Sequence, residues 1–411
     1  MKKRIILFFT IVALSIVCAV GVRAETYGSL TYSISDGEVT ITGCDSSATS
    51  VTIPETIDGY PVTGIGDRAF SGCTDLTSIT LDNGITSIGR KAFSGCTSLS
   101  FVDISDLDAW CRIDFDDSYD ATPLCYGAVL YVNGMKPTEV VLPDGMTAIK
   151  DYTFYNLKSL KSITIPDSVT SIGACTFAYC TSLTSIIIPN SVTSIGKSAF
   201  SGCDGLSSVT IPDSVTSIGA CTFAYCTGLK SITIPSSVTS IDESAFNYTP
   251  LSSVYIYDLS TWCKIKFKDT FFRSHSLYLN GTRVEQLILP SGISTISAYT
   301  FAKTSGIKSV VIPKDVKIIS QYAFDDCNSI TEIYYTGTAA EWERVRIANN
   351  NGSLSTATVY TDYVPDAMKI TFSANTTDTV SSLPNAATAI GSYKLPATVP
   401  VRTGYKFLGW A

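Results

Sequence analysis

Residues 177–199 read FAYCTSLTSIIIPNSVTSIGKSA, and this stretch decides the fold. Leu183, Ile186 and Ile188 stand in an L-x-x-L-x-L spacing, with Ile186 and Ile188 alternating onto one face of a short strand. Pro189 ends that strand. Val192 and Ile195 form a second apolar pair that returns the chain along the other side, and Gly196 reads as the residue that permits a turn before the next Ala-Phe. The period is 23 residues: Phe154, Phe177, Phe200, Phe223 and Phe246 follow at that step, with Phe70 and Phe93 before them and Phe301 and Phe324 after. The second pair recurs as Val169 and Ile172, Val215 and Ile218, Val238 and Ile241. One unit buries too little apolar surface to stand alone, so successive units must stack and share an elongated core. A helical reading fails, because the apolar spacing within strands is mostly 2 and no window sustains a period of 3.6.

Two gaps interrupt the period, 61 residues between Phe93 and Phe154 and 55 between Phe246 and Phe301. Both hold copies of one insert. The first contains DLDAWCRIDF, LYVNG and VVLP; the second contains DLSTWCKIKF, LYLNG and LILP; a shortened third copy, GTAAEWERVRI, follows the last repeat. Trp110, Trp262 and Trp342 therefore occupy one equivalent position, and Asn133-Gly134 and Asn280-Gly281 signal tight turns between strands.

The I-P-x-S-V-T-S-I-G-x-x-A-F-x-x-C core resembles the BspA-like leucine-rich repeats of secreted and surface proteins, and the insert variant also occurs among them. Leu30–Cys44 fits the lead-in strands that cover the first rung in such proteins, a place where capping is physically required. The expected fold is a β-rich leucine-rich-repeat solenoid with short helical or irregular turns, followed by a truncated small β-module. Residues 25–347 form the repeat domain, with 25–50 as its cap, and residues 348–366 a terminal rung and linker. From 367 to 411, KITFSAN and GYKFLGW resemble the Listeria-Bacteroides repeat found behind internalin-type leucine-rich repeats. That family continues past its Gly-Trp pair, whereas this sequence stops at Ala411.

At the other end, Lys2, Lys3 and Arg4 precede an apolar run from Ile5 to Val20 that closes on Val22-Arg23-Ala24, the pattern of a secretory signal peptide spanning residues 1–24. Its removal leaves 25 basic residues against 36 acidic ones, a net charge of −11. Nucleic acid and acidic membranes are poor partners for such a chain, and no insertion into a membrane is expected after cleavage. Only 16% of residues are charged while 45% are hydrophobic, which suits β-structure and opposes disorder.

Chemistry finds little purchase in this sequence. The single histidine, His275, stands where the first insert has Ala128, so it reads as an incidental loop residue and not as part of a nucleophilic triad. No catalytic residue, metal site or cofactor is expected. The acidic run Asp114, Asp116, Asp117 and Asp120 could supply oxygen ligands to calcium. However, Lys266 and Lys268 face Asp114 and Asp116 in the sister insert, so a solvated loop is the expectation. Of 13 cysteines, Cys73, Cys96, Cys180, Cys203, Cys226 and Cys327 each lie three residues after a repeat Phe and read as a stacked column of small buried groups. Cys175 and Cys221 read as thiols, although pairing with Cys180 and Cys226 is conceivable, as is a Cys111–Cys125 bridge. The three tryptophans read as packing for an enlarged rung, with sugar stacking as the alternative.

Between the inward pairs lies an outward column: Thr80, Asp103, Thr164, Ile187, Thr210, Thr233, Tyr255, Val311 and Tyr334. Stacked at roughly 4.8 Å per strand, about twelve rungs give a surface near 60 Å, suited to a macromolecule and not to a small metabolite. The resemblance implies binding across this face to host proteins, extracellular matrix or other cells. Thr164, Ile187, Thr210, Thr233 and Tyr255 are the candidate contacts, and the partner is an extracellular protein, a cell-surface macromolecule or a glycan. The alternative is that the chain targets a secreted enzyme whose catalytic module lies downstream, or binds cell-wall carbohydrate.

Overall fold

The computed structural model describes residues 25–364, apart from 117 and 272, together with two short strands, Met368–Ile370 and Ala387–Ala389, which pair antiparallel. Residues 1–24, expected as a signal peptide, and the rest of 367–411, expected as a small β-module, lie outside the described residues. The chain divides into two compact units, Met1–Pro137 and Thr138–Ala411. Among the described residues no helix is long and apolar enough to cross a membrane.

Each 23-residue unit makes one rung with two short strands. In the quoted copy, Ser185–Ile187 joins one parallel sheet and Ser194–Ile195 joins a second. Ile186, Ile188, Val192 and Ile195 all point into the core. Between the sheets runs a ladder of phenylalanine rings. Phe154, Phe177, Phe200, Phe223 and Phe246 stack with successive centroid separations of 5.6, 5.4, 5.4 and 5.7 Å, and Phe70 stacks on Phe93 at 5.1 Å in the first unit. Each fully buried ring contributes about 1.5–3 kcal/mol, which explains why Phe holds its place in every regular repeat.

The cysteine column is buried as expected, but its sulfurs do more than fill space. Cys96, Cys180, Cys203, Cys226 and Cys327 donate to the carbonyls of Phe70, Phe154, Phe177, Phe200 and Phe301 at 2.9–3.1 Å, each reaching one rung back. Thr249 takes the same place and donates to Phe223 O through its hydroxyl. The column therefore selects a small donor, which Cys and Thr both are.

Gly196 departs from its expected role. It is not in the left-handed region; a Cβ there would meet Ala174 N at 2.5 Å and Gly173 C at 2.6 Å, so the glycine admits the backbone of the preceding rung. The turn is made elsewhere, by left-handed residues two before and two after each Phe. Cys175 (φ 53°) and Tyr179 (φ 62°) flank Phe177, and Cys221 (φ 55°) and Tyr225 (φ 59°) flank Phe223. Gly72, Gly95 and Gly202 fill the later position in their own repeats without the roughly 1–2 kcal/mol that a Cβ costs there.

The inserts are enlarged rungs carrying a short helix. Leu107–Arg112 is capped by Asp106, Leu259–Trp262 by Asp258, and Ala339–Trp342 by a Thr338/Glu341 capping box. After each of the first two helices the chain rejoins the second sheet, as Asp114–Phe115 on Ser87–Ile88 and Lys266–Phe267 on Ser240–Ile241. Asn133-Gly134 and Asn280-Gly281 take positive φ at both residues, the requirement of a tight hairpin turn. At the N-terminus Leu30–Ser35 and Glu38–Cys44 form an antiparallel hairpin on which Tyr60–Ile65 adds in parallel.

Candidate binding face

Because Ile186 and Ile188 are inward, Ile187 between them must point out, and the same pleat applies rung after rung. In the second unit the parallel register places Ile187 beside Thr210, Thr210 beside Thr233, Thr233 beside Tyr255 and Tyr255 beside Tyr278. Ile187 is 81% exposed, an unusual setting for an isoleucine. Thr164 and Thr210 are exposed, Thr233 and Tyr255 half-buried. Thr164 pairs with Val141, itself 72% exposed. The sequence-predicted contacts thus share one face, in which hydroxyls alternate with a few apolar anchors.

Sequence reasoning missed a further set. Each insert returns to the outward column of its own unit with a tyrosine: Tyr131 beside Asp103 in the first unit, and Tyr278 beside Tyr255 and Tyr360 beside Tyr334 in the second. Tyr278 stacks on Tyr255 at 4.7 Å and Tyr360 on Tyr334 at 5.1 Å, while Tyr131 lies 5.6 Å from Phe101. The signal was present in the LYVNG and LYLNG segments, whose central Tyr holds the outward place of the pleat.

Val311 is a correction. Expected to face outward, it is only 2% exposed, and residues 361–364 fold back onto the neighbouring rung of Tyr334 and Tyr335. Asp362 N donates to Gly337 O and Tyr363 N to Tyr335 O, and the Tyr363 ring rests 4.6 Å from Tyr334. Ile288, Val311, Pro313, Tyr363 and Val364 then line an apolar cleft of about 570 Å³, with Lys314 and Asp315 at its rim. The first unit has a cleft of about 310 Å³ of mixed lining, with Thr52, Glu55, Thr80, Asp82, Asp103 and Asn133 beside Ile53, Pro54, Leu81 and Ile104. There Asp103 Oδ1 is buried without a hydrogen-bond partner.

The other candidates turn inward. Trp110 and Trp262 are 1% and 2% exposed, and Trp262 Nε1 donates to Thr300 O at 3.0 Å, so these two indoles offer no platform to a sugar. Trp342 is half-buried against Tyr335. His275, read from the sequence as an incidental loop residue, is buried against Phe271, its Nδ1 3.3 Å from Arg273 O and its Nε2 3.5 Å from Thr304 Oγ1. Burial pushes its pKa down to about 4, so it is neutral at pH 7. In the acidic run Asp114 and Asp116 are exposed, whereas Asp120 turns inward and accepts from Ser118 Oγ at 2.6 Å; Asp117 lies outside the described residues. Among the described residues no three His, Cys, Asp or Glu side chains group as metal ligands. Cys111, Cys125, Cys175 and Cys221 stand as thiols, and burial pushes Cys111 and Cys125 up to about 12. At pH 7 such thiols are protonated and weak nucleophiles.

The family described as the BspA type leucine rich repeat region matches residues 41–110, 147–278 and 274–395, in six copies. The last match runs past the point where the sequence suggested a separate module. A leucine rich cell surface protein from Faecalibacterium prausnitzii shares 26% identity over 79% of this chain and 97% of its own, with a TM-score of 0.43. A leucine-rich repeat protein from Bacteroides ovatus shares 22% identity over 82% of this chain and 78% of its own, at 0.43. One from T. pallidum shares 26% over 51% and 81%, at 0.30. No curated protein matches.

Proposed function

The chain belongs to the BspA-type leucine-rich-repeat family, and from that premise we propose that it is an exported, non-catalytic binding protein whose strand face holds an extracellular protein or cell-surface macromolecule. The observation that carries this reading is the in-register outward column from Ile187 to Tyr278, with Ile187 at 81% exposure. An aliphatic side chain standing free among threonines gains about 25 cal/mol for each Å² that a partner covers, while the hydroxyls around it can exchange water for partner hydrogen bonds. The stacked Tyr255–Tyr278 pair adds two rigid amphipathic rings of the kind that anchor interfaces. Thr164, Ile187, Thr210, Thr233 and Tyr255 are the proposed contacts. The regular units contribute repetition, so the partner is best an extended molecule that meets several rungs at once.

The test replaces Ile187, Thr210 and Thr233 with Asp in the full chain and measures adhesion to cells and matrix proteins. We expect binding to fall at least tenfold while the thermal melt changes little, since surface substitutions usually cost within about 0.5 kcal/mol. Binding that survives the triple change and disappears on deletion of residues 368–411 would place the function in the C-terminal segment and end this reading.

A further inference from the structure

The cysteine column has a foot. In five rungs the sulfur donates to a Phe carbonyl one rung back, but the rung beneath Cys73 belongs to the N-terminal cap. There the register Ser50↔Ser78, Val51↔Ile79 and Thr52↔Thr80 sets an offset of 28 residues in place of 23. That offset carries Cys73 onto residue 45, next to Cys44. Cys44 ends the cap strand Glu38–Cys44, and Asp45 N is tied back to Ser29 O at 2.7 Å, which fixes its position. The two thiols sit close enough to act on each other's ionisation. They also differ in access: Cys73 is buried, whereas Cys44 is half-exposed with its Sγ 3.4 Å from Asp45 O.

We propose that Cys44 and Cys73 form a disulfide that staples the N-terminal cap to the first repeat, made by exchange with a small-molecule disulfide. The thiolate of Cys44 attacks one sulfur of the reagent, forming a mixed disulfide and releasing one thiolate. Cys73 gives up its proton and attacks the Cys44 sulfur, forming the Cys44–Cys73 bond and releasing the second thiolate. The protein loses two electrons and two protons; the reagent becomes two thiols. The bond closes the cap hairpin onto the first repeat, the end of the stack that would otherwise open first. The remaining column cysteines keep their hydrogen bonds to Phe carbonyls and stay reduced. This inference is independent of what the strand face binds.

The full chain, purified under reductant, is transferred to oxidised glutathione over pH 7–9, blocked with an alkylating agent in denaturant, and digested without reduction. The expected product is one peptide pair joining Cys44 to Cys73, with Cys180, Cys203 and Cys226 alkylated. Burial and the neighbouring thiol hold Cys44 up to about 12, so the initial rate should rise about tenfold per pH unit across this range. Oxidation should raise the melt by several degrees, reversibly with dithiothreitol. Cys44→Ser should abolish both the link and the rise, while its melt matches that of the reduced parent. Full alkylation of Cys44 and Cys73 after oxidation, or a link from Cys73 to Cys96, would overturn the proposal. The peptide map of the parent protein decides the question even where a variant fails to fold.

Discussion

Gly196 and Gly219 hold the same place in adjacent repeats, yet replacing each with alanine should move stability in opposite directions. A Cβ on Gly196 would lie 2.5 Å from Ala174 N, 2.6 Å from Gly173 C and 2.8 Å from Ala174 Cα, all backbone atoms of the neighbouring rung. Relief requires the rungs to separate, and forced overpacking of this kind costs about 1–3 kcal/mol. A Cβ on Gly219 meets its nearest neighbour, Thr222 Oγ1, at 3.4 Å and the next atoms at 3.7 Å, ordinary contact distances. Neither glycine is left-handed, so Gly219→Ala gains only the reduced freedom of the unfolded chain, about 0.4–1 kcal/mol. Urea titration of the two variants and the parent, followed by circular dichroism, reads the difference. Gly196→Ala should lower the midpoint and Gly219→Ala raise it, with unchanged slopes. At about 1 °C per kcal/mol for a chain of this length the melts separate only slightly, so the urea midpoints carry the comparison. If both substitutions raise the midpoint, or Gly196→Ala is neutral, close rung approach is not the reason for glycine here.

Three further outcomes follow from the packing. Cys180, Cys203 and Cys226 should resist alkylation in the native protein and react once it is denatured; Cys203→Ala should cost about 1 kcal/mol, since Phe177 O loses its sulfur donor but keeps Cys180 N at 3.1 Å. His275 should make stability fall on acidification: its folded pKa of about 4 lies below the ordinary 6.5, so between these values the unfolded chain binds a proton that the folded one refuses. That contribution is fully present above pH 6.5 and lost as pH falls towards 4, by about 3 kcal/mol at 1.36 kcal/mol per unit, and His275→Gln should flatten this part of a denaturation-versus-pH curve. Tyr255→Ala combined with Tyr278→Ala should weaken adhesion more than Thr164→Ala, measured as retention on matrix-coated surfaces, because rigid rings contribute more to interfaces than single hydroxyls.

What the sequence disclosed was whatever repeats. Period, inward pairs and the Phe and Cys columns are legible because equivalent residues meet equivalent neighbours at every step, so one copy read correctly explains the rest. Roles set by backbone geometry were less legible. Gly196 looked like a turn residue because glycine serves turns so often, and only the distance to Ala174 separates close approach from left-handed freedom. The left-handed places at Cys175 and Tyr179 were hidden because their occupants are not the residues that usually mark positive φ. Contacts that break the repeat were illegible for a different reason. Val311 is buried and shares its cleft with Tyr363 and Val364, which lie some fifty residues further along a stretch with no repeat pattern to place it. His275 looked incidental against Ala128 because the comparison of inserts cannot show that Phe271 and Thr304 close around it.

The same contrast bears on where recognition resides. A solenoid of identical rungs would present an outward column with no preferred position, and a partner could slide along it in 23-residue steps at little cost. The regular rungs come close to this, with threonine at 164, 210 and 233. Two features break the degeneracy within the second unit. Ile187 interrupts the threonines at one rung, and the inserts place the Tyr255–Tyr278 and Tyr334–Tyr360 stacks at two others. These stacks exist because each insert returns its strand to the parallel register after the helix, which sets an aromatic residue directly beside the preceding outward one. A helix capped by Asp258 or Thr338 thus has a consequence for the next strand of the face: it adds chain length without shifting the pleat, so an outward tyrosine stays outward. On the proposed reading, a partner that meets the face would align its apolar groups with Ile187 and the two stacks, and the threonines between them would fill in hydrogen bonds once that register is set.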